Sequence, residues 1–242
     1  MARRSSSDAA FAGIAERYDL PPHAVEQLRE LHRLLVDDPL APTAVRDPLK
    51  VIDDHLADSL VALELEPIRS ARTLADLGSG AGVPGLPLAI ALPELSVALV
   101  ESAARKCAFL ERAIARCAVT NARAVHARAE SWPEGIESSD VVTARALGPL
   151  EVVVEYAAPL LALGGTLVVW RGQRDPEAES AAARAAAELG LEPVKIVPAK
   201  PYPAARSRHL YLMSKVTSTP SGFPRRPGVA AKRPLGSQRP LP

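Results

Sequence analysis

The sequence predicts an α/β fold, a mostly parallel sheet with helices on both faces. Three observations carry that expectation. From Arg72 onward, strand-length apolar runs alternate with segments of helical period, and such alternation builds βαβ units. The first run, Thr73–Leu77, passes directly into a turn with three alternating glycines, Gly78, Gly80 and Gly82. The chain of 242 residues is 48% hydrophobic and 24% charged, which suits a soluble globular domain with extensions and a sizeable core.

The elements follow in order. Residues 1–17 are expected to be mobile. A helix begins near Asp19-Leu20-Pro21-Pro22, with Val25, Leu28, Leu31 and Leu35 at helical spacing, and Asp37-Asp38-Pro39 ends it. A second helix covers residues 51–65, with Ile52, Leu56, Leu60 and Leu63 as its apolar stripe and His55, Asp58 and Ser59 beside it. After strand one comes a helix from Pro84 to Leu92, then strand two over Ser96–Glu101 and a helix over Ala103–Ala118. Cys107 and Cys117 lie on the apolar stripe of that helix; ten positions separate them by ~15 Å, so they cannot bridge. Strand three is Ala122–Ala127 and strand four Asp140–Ala144. A helix runs from Pro149 to Leu163 and is closed by Gly164-Gly165, and strand five is Thr166–Trp170. Asp175-Pro176-Glu177 is an N-cap, a proline at N1 and a first-turn acid, and Gly190 is a C-terminal stop. Val194–Val197 and His209–Met213 form a closing antiparallel pair, which makes seven strands. Past Ser218 the composition is that of a solvated tail.

Composition narrows the function classes. The basic start MARRSSSDAAFAG lacks the apolar run of a secretory signal, and Tyr156–Trp170 is too short to span a bilayer, so a cytoplasmic chain without a membrane role is expected. Two cysteines support neither a disulfide framework nor a zinc site, so no metal is expected. The net charge of +1 hides an asymmetry: residues 195–242 hold ten Lys/Arg and no Asp/Glu, leaving a net of −9 on residues 1–194. A basic tail on an acidic body points to an anionic partner, nucleic acid first, or to a solubilising end.

In a parallel sheet, ligands bind beyond the carboxyl ends of the strands. Those ends are Gly78–Gly82, Glu101, Ala129-Glu130, Arg145 and Arg171, converging on one rim. Backbone N–H groups of the glycine turn suit an electron-rich group, and Glu101 at the end of strand two suits ribose hydroxyls. Asp76 before the turn gives D-x-G-x-G-x-G, while Gly80-x-Gly82-x-x-Gly85 also fits a dinucleotide fingerprint, so S-adenosylmethionine, NAD and an unliganded turn all remain open. Glu130 beside Ala129 could receive an adenine amino group. Arg145 can stack on a base or hold edge oxygens through its fork of donors, but it is no general base. No Asn/Asp-Pro-Pro-aromatic tetrad follows strand four and no cysteine sits at a strand end, which argues against adenine-N6 acceptors and covalent attack on a pyrimidine. A ring nitrogen with a free lone pair, such as guanine N7, needs no base.

The segments DLGSGAGVPGLPLAI, ES-x-x-RK-x-x-FL at Glu101–Leu110, ARAE at Ala127–Glu130, DVVTARAL at Asp140–Leu147 and FPRRPG at Phe223–Gly228 resemble the bacterial RsmG (GidB) methyltransferases, and HLADSL at His55–Leu60 fits their helical N-terminal part. The resemblance covers about residues 39–235. It implies a Rossmann-like S-adenosylmethionine-dependent methyltransferase fold over residues 69–217, a helical extension over 1–68 and a basic Pro-rich tail over 218–242. It implies methylation of guanine N7 in 16S ribosomal RNA of the small subunit. By motif, the cofactor positions are Gly78, Val83, Ala129, Glu130 and Arg145, with Glu101 at the ribose. Arg171, Arg225, Arg226, Lys232 and Arg233 are then RNA contacts, and removal of 223–242 is expected to spare cofactor binding. Three departures stand out: Pro42 before Thr43 in place of Asn-Leu, Arg171-Gly172 in place of Lys-Gly, and Val83 in place of a larger apolar residue. The alternatives are an NAD(P)-dependent oxidoreductase, which would need a hydride-site acid/base such as a Tyr-x-x-x-Lys pair, and a non-catalytic ribosome-associated RNA-binding protein.

Overall fold

The computed structural model describes residues 2–236. The chain begins with α1 (Ala2–Tyr18) and α2 (Pro22–Asp37). The expectation of a mobile start is therefore corrected. Phe11 and Ile14 are buried, Phe11 stacks edge-on against His32 of α2 at 5.6 Å, and Arg29 of α2 lies over the Phe11 ring at 4.5 Å. Two apolar anchors suffice because a partner helix supplies the other half of the core.

The second helical segment is not uniform. It runs α3 (Pro48–Val51), a π-helical turn (Ile52–Ala57), α4 (Asp58–Leu60) and a 3₁₀ turn (Val61–Glu64), followed by α5 (Glu66–Ser70). Asp47 caps its start by accepting from Leu49 N and Lys50 N. The π turn and the first residue of α4 place Asp54, His55 and Asp58 beside Arg145.

The sheet is built from β1 (Thr73–Leu77), β2 (Ser96–Glu101), β3 (Ala122–His126), β4 (Ser139–Arg145), β5 (Leu161–Arg171), β6 (Lys195–Pro198) and β7 (His209–Ser214). Its order is β3-β2-β1-β4-β5-β7-β6, with β7 antiparallel to both neighbours and the remaining pairs parallel. The connecting helices are α6 (Gly85–Ala91), α7 (Ala104–Arg116), α8 (Leu150–Ala157) and α9 (Pro176–Leu189). Strand alternation divides the core. Leu74, Val97, Leu99, Val141, Val168, Trp170, Leu210 and Leu212 face α1–α7. Ala75, Leu77, Ala98, Val100, Val142, Ala144, Leu167, Val169, Tyr211 and Met213 face α8 and α9.

Two further expectations change. The helix after Pro149 stops at Ala157, and Gly164-Gly165 lies inside β5 rather than closing a helix. A Cβ on Gly165 would meet the carbonyl oxygens of Ala162, Asp140 and Ser139 at 2.9–3.0 Å, so close strand approach is what requires glycine there. The segment expected to be a solvated tail packs on the body up to Gly236. Phe223 and Leu235 rest against the α8–α9 core, α10 (Val229–Lys232) buries Ala230, and Arg184 Nε donates to Gly236 O at 2.8 Å. Residues 237–242 lie outside the described residues. No helix among the described residues is long and apolar enough to cross a membrane, and no group of three or more His, Cys, Asp or Glu among them could hold a metal.

Candidate functional site

The glycine turn after β1 is organised from beneath. Asp76 is fully buried and accepts from Ser79 Oγ at 2.6 Å, Thr143 Oγ1 at 2.8 Å and Gly85 N at 3.2 Å. Burial pushes its carboxyl up to about 6, against the pull of those three donors. Asp76 thus braces the turn and does not face a ligand. Gly78 has φ +65°, and a Cβ there would lie 2.5 Å from Leu147 Cδ1. Glycine leaves that backbone bare at the strand end.

Glu101 ends β2 with its side chain only 5% exposed. It accepts from Gly80 N at 3.1 Å and Ala103 N at 2.9 Å, and Lys106 Nζ lies 3.8 Å away. One carboxylate therefore joins the glycine turn to the start of α7. Ser102 Oγ also donates to it at 3.5 Å, and since a carboxylate offers about four lone-pair sites, capacity is left for a ligand hydroxyl.

Two cavities open at the carboxyl edge of the sheet. The first, about 190 Å³, is lined by Gly78, Ser102, Ala129, Glu130, Leu147 and Tyr156 among others. Glu130 is steadied by Gly228 N, which donates to its Oε1 at 3.0 Å, and by Arg128 Nε at 3.8 Å. The second, about 450 Å³, lies beside the π turn and is lined by Asp54, His55, Asp58, Arg145, Trp170, Arg171 and Arg208 among others. Arg145 and Ala146 line the second cavity and Leu147 the first, so the residues just past β4 separate the two. Ala146 has φ +55°, an uncommon conformation for a residue with a Cβ, and it sits at that junction.

The single rim expected from the sequence is therefore two-sided. Gly78, Ala129 and Glu130 share the first cavity, and Glu101 lies under the turn beside it. Arg145 points the other way, because alternation along β4 puts it on the face of Val141 and Thr143. Its Nη1 donates to Asp58 Oδ2 at 3.0 Å and to Asp54 O at 2.8 Å, and its Nη2 lies 3.3 Å from His55 Nδ1. Val83 is buried in the core under the turn and lines neither cavity. Arg171 reaches the second cavity, with Nη1 on Gly148 O at 3.2 Å. Arg225, expected to face RNA, is instead a bidentate partner of buried Glu155. Arg226, Lys232 and Arg233 are exposed on the same segment, and no ion pair engages their side chains among the described residues.

Sequence reading left His55 and Asp58 beside an apolar stripe and did not weigh Asp54, Tyr202 and Arg208. The His55 imidazole is held below its ordinary range, first by burial and then by the Arg145 guanidinium, so it is neutral at pH 7. Burial raises the Asp58 carboxyl, opposed by Arg145. Tyr202 donates to Asp54 Oδ1 at 2.6 Å, and burial with that bond raises its hydroxyl to about 12. The only sequence signal was the clustering of charge around His55, which periodicity cannot connect to a strand end some ninety residues away.

The residues present fit a nucleoside-bearing cofactor in the first cavity: a bare strand-end backbone at Gly78, a carboxylate at the end of β2 and a second carboxylate after β3.

Comparison with known proteins bears on what this edge does. Residues 33–211 match the family model GidB, described as rRNA small subunit methyltransferase G. The chain is 42% identical over 217 residues to ribosomal RNA small subunit methyltransferase G of Chloroflexus aggregans, covering 86% of this chain and 88% of that protein. It is 39% identical over 196 residues to the protein of the same description from Desulfitobacterium hafniense, covering 80% and 81%. Among solved structures, a SAM-dependent methyltransferase from Aquifex aeolicus superposes with a TM-score of 0.54 at 14% identity, covering 71% of this chain and 94% of that one. A SAM-dependent O-methyltransferase from Thermotoga maritima gives 0.55 at 15% identity, covering 78% and 72%. At such identity these structures show the fold alone: a Rossmann-like methyltransferase fold.

Proposed function

The chain belongs to the GidB family of rRNA small subunit methyltransferases, and on that basis we propose that it transfers a methyl group from S-adenosylmethionine to N7 of one guanine in 16S ribosomal RNA, in the cytoplasm. The observation that carries this reading is the junction after β4, where a cavity with nucleoside-binding groups abuts a second cavity lined by arginines and Trp170.

In this reading the first cavity holds the adenosine. Glu101 receives the ribose hydroxyls, Ala129 and Glu130 meet the adenine edge, and Gly78 permits close approach of the backbone. Val83 shapes the turn from below, and Arg145 acts from the junction. When bound, the cofactor supplies a methyl group on a positively charged sulfur, and attack by a lone pair displaces a neutral thioether. Guanine N7 carries no proton, so the chain needs no general base at that atom. Its task is alignment, which by itself is worth many orders of magnitude in rate. The exposed cations Arg226, Lys232 and Arg233, next to the segment that steadies Glu130, and Arg171 at the second cavity, supply contacts for RNA phosphates.

The test is incubation with methyl-labelled S-adenosylmethionine and small subunits lacking the modification. Label in 16S RNA, mapped to N7 of a single guanine, is expected. Cofactor binding without label in RNA would refute the reading.

A further inference from the structure

The second cavity contains an ion pair, Asp58 with Arg208, whose facing atoms make no hydrogen bond among the described residues. Asp58 has a side chain 8% exposed; its Oδ2 accepts from Arg145, while its Oδ1 takes no hydrogen bond among the described residues. The nearest donor is Arg208 Nε at 3.4 Å, which is buried and likewise makes no hydrogen bond among the described residues. Both partners are fixed from behind. Arg145 holds Asp58, and Trp170 Nε1 donates to Asp58 O at 2.6 Å. Arg208 Nη2 donates to Asp54 Oδ1 at 3.2 Å, and Tyr202 clamps the same oxygen. A buried ion pair held at 3.4 Å without hydrogen-bond geometry leaves its donor and acceptor only partly satisfied, and in a native site that calls for an explanation. Here both residues line a cavity within the ~300–1,000 Å³ range of small-molecule sites.

We propose that Asp58 and Arg208 read the guanine that receives the methyl group, Asp58 accepting from N1–H and Arg208 donating to O6. This assignment rests on the function proposed above. Guanine presents N1–H beside O6 on one edge, and N7 lies on the far side of O6 with its lone pair free. Adenine presents the reverse, a donor where guanine has O6 and an acceptor where guanine has N1–H. Unpaired RNA bases are commonly held by that edge. Trp170 and Ala146 also line this cavity and supply apolar wall. Asp54 and Tyr202 are positioning residues that act through Arg208.

The test uses small subunits reconstituted with guanine, inosine or 2-aminopurine at the target nucleotide. Inosine keeps O6 and N1–H, whereas 2-aminopurine lacks both and retains N7. The wild-type protein is expected to methylate inosine within about fivefold of guanine and 2-aminopurine roughly tenfold to a hundredfold more slowly. Arg208→Ala leaves Asp58 neutralised by Arg145, so it should keep S-adenosylhomocysteine affinity within threefold while the guanine-to-2-aminopurine ratio falls several-fold, the remainder being Asp58 on N1–H. Arg208→Lys, which keeps the charge, should not restore the ratio. Equal wild-type rates on guanine and 2-aminopurine, or full discrimination by Arg208→Ala, would overturn the assignment alone. Absence of label from guanine-bearing subunits would overturn the methyl-transfer reading and this assignment with it.

Discussion

The two cavities at the sheet edge are built by different means. The first is made of backbone and short-range sequence: glycines with positive φ, a carboxylate at the end of β2, and Ala129-Glu130 just after β3. The second is made of side chains from distant segments, the π turn at 52–57, the end of β4, Trp170 and Arg208, joined by ion pairs. A cavity of backbone is specified by local motif. A cavity of ion pairs is specified by tertiary packing, and its parts depend on one another.

That contrast predicts unequal responses to substitution. The largest effect should come from the second cavity. Asp58→Ala leaves Arg145 and Arg208 without their shared carboxylate, which should lower stability by about 3 kcal/mol. Denaturant unfolding measures this, and a loss below about 1 kcal/mol would show that the three charges are not coupled. Removing residues 223–242 should come next. It strips Arg225 from buried Glu155 and Gly228 N from Glu130, so S-adenosylmethionine affinity should fall about tenfold and the salt dependence of RNA binding should flatten. Calorimetry at several salt concentrations reads both. Unchanged cofactor affinity would restore the expectation that removal of 223–242 spares cofactor binding, and an unaltered salt dependence would show the tail to be passive.

Gly78→Ala forces a Cβ into φ +65° at the first cavity, at about 1 kcal/mol of strain, and places it against Leu147. Cofactor affinity should drop several-fold with RNA affinity intact; loss of RNA binding alone would place the cofactor elsewhere. The smallest effect concerns pH. His55 titrates lower in the folded protein than unfolded, so below ~6.5 the unfolded chain binds more protons and stability declines as pH falls. His55→Gln should reduce that decline below about pH 6.5 in paired unfolding curves. An unaltered slope would assign the decline to other groups.

The same division explains what the sequence revealed. Strands Thr73–Leu77 and Ser96–Glu101 were legible to the residue because apolar runs end in glycine or acid. The Asp175 cap and Gly190 stop were legible because each does local hydrogen-bonding work: Asp175 accepts from Glu177 N and Ala178 N, and Gly190 has φ +84°. The helix at Ala2–Tyr18 was not, since its few apolar residues gain meaning only against α2. Nor was the docking of residues 219–236, whose proline and charge content reads as a solvated tail until Glu155 and Glu130 are placed opposite it. Arg145 was placed at the correct strand end, but its direction depends on the strand's alternation and on Asp58, eighty-seven residues earlier.

The central claim is that cofactor and acceptor occupy opposite sides of the β4 junction. A crystal structure with S-adenosylhomocysteine tests it most directly. The account predicts adenosine density against Gly78, Glu101 and Glu130, with the cavity of Asp58 and Arg208 left open. Adenosine density between Asp58 and Arg208 would contradict it.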